Sequence, residues 1–427
     1  MSPSGGESGT GVPTYAAVLR TPHFLPVFLA NALSMWGDYI ARVTIAAVVY
    51  RMTTSPLATA TTLAVSLVPS FFGRSLVGPI VDRFPYKWVL IWSHLLRAAC
   101  VVGLMWLVVA RSGINLPSVF AVLFVLELIG GAAVASNMVL LTDLFDDRRT
   151  YARAIGLGAM SEQANQAIGL ALGGGIVALV GPETGLLIDL LTFVAAALVI
   201  AVVVQLRPVS GERGKGLRGF ARDLGEAAGD LARHPVLARL VLLSAVACFG
   251  IVAPEALAIP IAAEYGWASW GGILMASPIV GAIVGIVLIG RRDVHQQNRS
   301  IVPLALAMPL PLLATAFDLP VVVVAALFVV SGMCQAFMVP LQATFALVTE
   351  PELRGRIFSL AGSVSIAAAG IAYVVAGWVG AHAGPRTGVA ICAAGCLVLI
   401  VILAISWPHR HVRHAVERAY APSSRAA

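Results

Sequence analysis

The sequence predicts an all-α integral membrane protein of twelve transmembrane helices in two pseudo-symmetric six-helix bundles, and three observations carry that prediction. The first is composition. Of 427 residues 59% are hydrophobic and 11% charged, whereas soluble domains carry about 25% charged residues. The second is segmentation. Apolar runs fall near 24–50, 57–82, 88–110, 116–142, 153–180, 184–206, 237–263, 267–290, 301–317, 320–348, 356–382 and 386–407. At about 1.5 Å per residue, each run crosses or nearly crosses a hydrocarbon core about 30 Å thick. The third is an internal repeat. At an offset of 203 residues, Gly174, Gly181, Pro182, Thr184 and Gly185 match Gly377, Gly384, Pro385, Thr387 and Gly388, and Arg153 matches Arg356.

Taken in order, residues 1–20 are Gly/Ser/Pro-rich and read as a disordered cytoplasmic tail, without the basic start and apolar centre of a signal peptide. Residues 21–206 make the first six-helix bundle. Its second and third runs are joined by Gly78-Pro79-Ile80-Val81-Asp82-Arg83-Phe84-Pro85-Tyr86-Lys87, a tight charged turn that belongs at a membrane face. Pro85 suits the first turn of the following helix, where no helical hydrogen bond is lost. Residues 207–236 form a cytoplasmic linker. Within it Phe220, Leu224, Ala227, Ala228 and Leu231 recur at helical spacing among Arg222, Asp223, Glu226 and Asp230, which predicts an amphipathic helix. Residues 237–407 make the second bundle, whose third run is short and holds Pro303, Pro309 and Pro311. Residues 408–427 are a basic cytoplasmic tail. Its run from His409 to His414 is interleaved with arginine, which suits lipid headgroups better than a metal.

Charge sets the expected orientation. With both termini cytoplasmic, 22 of the 28 Lys and Arg residues fall on the inner side and three on the outer, the remainder lying within spans. The net charge of +7 is spread over many short loops, which argues against a nucleic-acid face. Gly214-Lys215 is followed by Gly216 where a nucleotide loop needs Ser or Thr, so ATP-driven pumping is excluded. The five cysteines lie inside apolar runs and read as small packing residues. Asp143, Asp146 and Asp147 have no second acidic cluster to complete a magnesium-diphosphate site, so they read as partners of the basic turn.

These residues resemble the major facilitator superfamily over about 20–408. The turn from Gly78 to Lys87 is similar to the superfamily's motif between spans two and three, with Gly78, Asp82, Arg83 and Lys87 matching. Trp36-Gly37-Asp38, Val81-Asp82-Arg83-Phe84, Leu95-Leu96-Arg97-Ala98, the run from Ile168 to Gly174, His234-Pro235-Val236-Leu237 and the run from Leu353 to Phe358 resemble the macrolide-efflux and enterobactin-exporter-like branch. Antiporters of the superfamily usually carry a Gly-Pro pair in span five; here Leu170 follows Gly169. The resemblance implies two bundles rocking about a central site and proton-coupled efflux of a hydrophobic or amphipathic molecule. An importer of a small polar solute is the alternative, and an integral-membrane enzyme is a third.

An ionised side chain at the bilayer centre costs about 3 kcal/mol on insertion scales, so each needs a partner or a task. Asp38 and Arg42 lie four apart on one helical face, as an ion pair or with Asp38 exchanging a proton for a cation. Glu127 sits mid-span with Arg97 at similar depth in its neighbour. Glu162 and Glu255 complete the proton-coupling candidates, with Arg42 and Arg97 as ion-pair partners. Asp189 reads as a helix-end or interface group near the outer surface. Gly169, Gly173 and Gly174 offer a face for close helix packing. Gly78, Asp82, Arg83, Lys87, Arg153 and Arg356 are expected to form a cytoplasmic latch. The expected partners are a small-molecule substrate, protons and the lipid bilayer, with no nucleic acid, no metal and no cofactor, and the chain is expected to act as a monomer in the cell membrane.

Overall fold

The computed structural model describes residues 15–81, 84–109, 115–145, 147–206, 216–266, 270–349 and 353–407. The expected all-helical architecture is what it contains. Residues Tyr15–Leu19, expected to be disordered tail, form a short helix, α1, because Val18 finds complete burial. The long helices of the first half are α2 (Phe24–Thr53), α3 (Pro56–Val81), α4 (Tyr86–Val109), α5 (Leu116–Leu144), α6 (Arg148–Leu179) and α7 (Pro182–Val203). Helix α8 (Gly216–Arg233) is the amphipathic one. The second half holds α9 (Pro235–Glu264), α10 (Trp270–Gly290), the short α11 (Val294–Arg299), α12 (Ile301–Ala307) and α13 (Leu310–Leu313). It continues with α14 (Val321–Cys334), α15 (Met338–Val348), α16 (Arg354–Ala383) and α17 (Pro385–Ile405).

Local chemistry explains the boundaries. Asn115 caps α5 by accepting from the Ser118 amide at 3.3 Å, and Asp147 caps α6 by accepting from the Thr150 amide at 2.9 Å. The Pro85 carbonyl accepts from the Trp88 and Val89 amides, so this proline precedes the first turn of α4 and does not enter it. The proline-rich ninth run breaks into α12, α13 and a 3₁₀ turn at Ala314–Ala316, since each proline removes an amide donor. A second 3₁₀ turn, Gln335–Phe337, separates α14 from α15. Among the described residues, nine helices are long and apolar enough to cross a membrane. Helix α6 is long but is not among them, because Glu162, Gln163, Asn165 and Gln166 interrupt its apolar surface.

The internal repeat is visible in the backbone. Gly181 and Gly384 adopt φ of 94° and 86°, a region that favours glycine, and each is followed by a proline in the first turn of the next helix. The matching helices also make matching contacts: α6 packs on α10 of the other half, and α16 packs on α3.

One end of the molecule carries α8, which rests on α3, α9 and α16 and so spans both halves. At the far end, around Thr54, Gly181 and Gly384, the halves share a buried cluster. It joins Val43, Ala60 and Leu170 to Leu257, Leu274 and Ala376. The other buried clusters of the described residues each stay within one half, apart from Leu231 of α8. The two halves are therefore sealed together at the far end.

Candidate functional site

Helix α2 carries Trp36, Asp38, Tyr39 and Arg42, all half-buried, within two turns. Asp38 and Arg42 share a helical face, yet Asp38 pairs with Arg97 of α4. The Arg97 Nη2 donates to Asp38 Oδ1 at 2.6 Å, with side-chain exposures of 8% and 29%. The guanidinium also lies 4.3 Å from the centre of the Phe193 ring of α7. His94, one turn earlier on α4, packs on the same ring at 5.9 Å. Arg42 instead lies 5.3 Å from the Tyr39 ring centre. It sits within Coulombic reach of Glu127 on α5 and of Glu255 on α9.

Glu127 lies within Coulombic reach of two arginines of its own half, Arg42 and Arg97, and of Asp38. Glu255 belongs to the other half, where Tyr373 of α16 neighbours it. Among the described residues, Asp38 and Arg97 are in ion-pair contact, whereas Arg42 lies within Coulombic range of Glu127 and Glu255 without an ion pair at contact distance. The approach of Arg42 to Glu255 is between the two halves.

Asp189 is corrected by this arrangement. It is 1% exposed, its Oδ1 has no hydrogen-bond partner, and Arg97, Asp38 and Glu127 lie within Coulombic reach. It is thus part of the buried network and not a helix-end group. Room for it comes from Gly37 of α2, where a Cβ would lie 2.7 Å from Asp189 Oδ1. The rule that singled out Glu127, a lone acid inside an apolar run, applies equally to Asp189, which lies seven residues beyond Pro182. Tyr373 carried no comparable signal, since it is one aromatic in a stretch of small residues.

A cavity of about 160 Å³ lies at the seam beside this network. Gln163 and Gln166 of α6 line one wall; Ile251 and Glu255 of α9, Met275, Pro278, Ile279 and Ala282 of α10, and Gln335 line the rest. Gln163 and Glu162 are exposed on α6, and Glu162 does not line the cavity. Asn165 turns the other way, accepting from Trp36 Nε1 at 2.7 Å and donating to Ser161 at 3.0 Å. Gly169 and Gly173 face α2, where added Cβ atoms would lie 2.6 Å from Tyr39 and 3.1 Å from Ile40. Gly174 faces Gly272 of α10 across the seam.

At the α8 end lie the residues expected in a latch. Lys87 donates to the Ala201 carbonyl at 2.8 Å, Arg153 lies 5.2 Å from the Tyr15 ring centre, and Arg356 pairs with Glu226 of α8 at 2.9 Å. Gly78 is in the last turn of α3, and Asp82 and Arg83 lie outside the described residues. Asp147, outside the spans, has its carboxyl held below the usual aspartate range by the side-chain and backbone hydrogen bonds of Thr150.

The family description "Major Facilitator Superfamily" matches residues 27–346 of the chain. No curated protein matches the sequence. Among solved structures, a point variant of the nucleoside transporter NupG superposes with a TM-score of 0.68 at 14% identity, covering 89% of this chain and 98% of that one. Unmutated NupG superposes with a TM-score of 0.64 at 14% identity, covering 90% and 98%. A bacterial homologue of the iron transporter ferroportin, in an inward-facing state, gives 0.66 at 16% identity, covering 92% and 99%.

Proposed function

The chain belongs to the Major Facilitator Superfamily, and from that premise we propose that it is a proton-coupled exporter of small amphipathic molecules working by alternating access. Membership makes it a multi-pass membrane protein and a secondary transporter, not an enzyme. The observation that carries the finer reading is the seam cavity. Its lining is half hydrocarbon and half amide and carboxylate, the lining an amphipathic solute requires. One of its walls, Glu255, is also within Coulombic reach of Arg42.

The coupling follows from Arg42. The guanidinium is within reach of Glu127 in one half and Glu255 in the other. Neutralising Glu127 with a proton leaves Arg42 to Glu255; a ligand taking Glu255 returns Arg42 to Glu127. An element that both ligands bias in opposite senses is what exchange transport needs. Asp38 is committed to Arg97 and serves as a fixed partner that keeps Arg97 from quenching Glu127.

The Lys and Arg bias supports placing both termini and α8 in the cytoplasm. The sealed far end then faces outward and the described state is inward-facing. In the outward-facing state of this proposal, Asp82 engages Arg153, Gly78 permits close approach of α16, and Arg83, Lys87 and Arg356 belong to the same cytoplasmic closure. An Asp82→Asn protein with unaltered transport and unaltered inward and outward populations would refute that latch.

The decisive experiment is accumulation of a compound panel in cells with and without the protein, with an uncoupler control. Lower accumulation of an amphipathic class, abolished by uncoupler, is the expected result; no uncoupler-sensitive difference for any class overturns export. Uptake of a small polar solute is the second reading, favoured by the three cavity glutamines Gln163, Gln166 and Gln335 and by likeness in fold to a nucleoside transporter. It predicts higher accumulation in the same assay.

A further inference from the structure

Two buried polar atoms on the cavity wall have no hydrogen-bond partner: Glu255 Oε1 and Gln335 Nε2. The first only accepts when ionised and the second only donates. Arg42, the nearest cation in charge terms, stacks on Tyr39 and does not line the cavity. Buried groups left unmet are costly, and here an acceptor and a donor are left unmet on the wall of one space. Ile251, Met275 and Ile279 add hydrocarbon to the same space.

A ligand that satisfies this wall must bring a donor to Glu255, and a positively charged donor makes the stronger bond to a carboxylate. It must also bring an acceptor to Gln335. An anion would meet Glu255 with like charge, and a neutral alcohol would make only the weaker, uncharged bond to the carboxylate. We propose that the cavity takes a small organic cation: a protonated amine that bonds Glu255, with a hydroxyl or carbonyl oxygen that accepts from Gln335 and an apolar body. This rests on the reading of the cavity as the transport site and names its substrate class. The amide groups of Gln163 and Gln166 face the same ligand from the first half, so its binding touches both bundles.

Matched probes test it on the full-length protein in detergent by calorimetry. Phenylalaninol carries an ammonium, a hydroxyl and an apolar ring. 3-Phenyl-1-propanol lacks the ammonium, phenethylamine lacks the hydroxyl, and phenylalanine adds a carboxylate. Phenylalaninol is expected to bind about tenfold or more tighter than the neutral alcohol and than phenylalanine, and several-fold tighter than phenethylamine. Glu255→Gln should erase the first preference and Gln335→Met the preference for the hydroxyl, while Gln335→Glu should sharpen the preference for the ammonium. Where Glu255→Gln does not fold, the two Gln335 variants carry the test. Absence of phenylalaninol binding, equal binding of the neutral alcohol, or a charge preference that survives in Glu255→Gln overturns the proposal. Phenylalaninol that binds as expected yet moves no protons in proteoliposomes supports the ligand class and counts against coupled export. Proton-coupled movement of a neutral or anionic compound, with no amine binding, does the reverse.

Discussion

Arg97 is held between the Asp38 carboxylate and the face of Phe193, so its charge is matched inside the protein. Asp38→Asn would leave a nearly buried guanidinium without its counter-ion, at a cost of roughly 3–5 kcal/mol. The expected outcome is a large drop in thermal midpoint of the purified protein. Replacing both partners, Asp38→Asn with Arg97→Met, should recover much of it. An unchanged midpoint in the single variant would show that the pair does not hold α2 to α4. Glu127 is the proposed proton site. Glu127→Gln keeps the shape and removes the proton site, so substrate binding should persist while substrate-driven proton movement in proteoliposomes is lost. Unchanged proton movement removes Glu127 from the coupling. The candidates Asp38, Glu127 and Glu255 were legible because a charge in an apolar run is conspicuous. Their pairing was not, because spacing along one helix favours Arg42 for Asp38 and says nothing of how α4 is rotated toward it.

At the scale of elements, helix faces decide what may approach. On α10, a Cβ added at Gly272 would lie 2.3 Å from the Leu170 carbonyl of α6, a backbone atom that cannot swing aside. Gly272→Val should therefore separate the halves at this seam, costing about 1–3 kcal/mol as overpacking does, and transport should fall with it. Gly362 of α16 meets nothing within 4 Å. Gly362→Ala should be neutral or stabilise by up to about 1 kcal/mol from helix propensity alone. Thermal midpoints of the two variants read the contrast, and equal behaviour would contradict the packing described. The α6 cap adds a pH dependence. Asp147 titrates lower when folded, so its contribution is complete above the unfolded aspartate value of about 3.9 and disappears as pH falls through the lower folded value. Asp147→Asn, which preserves the cap oxygen, should flatten that part of the acid-unfolding curve; an unchanged curve means that the cap does not contribute there.

For the whole molecule, the distribution of hydrophobic clusters matters more than any one contact. The halves share buried side chains at the far end, while α8 lies across α3, α9 and α16 at the other. The Arg356–Glu226 pair that ties α8 to α16 is half-exposed, and such pairs contribute about 0.2–1 kcal/mol. It is weak enough to break when the bundles rock. The orientation has its own test. A fluorescent protein fused after Ala427 should be fluorescent, and alkaline phosphatase fused after Gly113 should be active. An active phosphatase at the C-terminus would invert the proposed topology and turn the described state outward-facing.

Helix number, order and relatedness of the halves could be read in advance, because hydropathy and the repeated Gly-Pro-x-Thr-Gly turn are local properties of the chain. So could the family, through passages from Trp36 to Phe358 whose order survives without coordinates. Only the tertiary structure decided that Asp38 meets Arg97, that Asp189 is buried with them, and that Glu255 and Gln335 share a cavity wall with glutamines of the other half. Those facts depend on the rotation of each helix about its axis and on which helices cross the seam. Both are set by packing between residues more than a hundred positions apart, such as Leu170 and Gly272, and no local pattern records them.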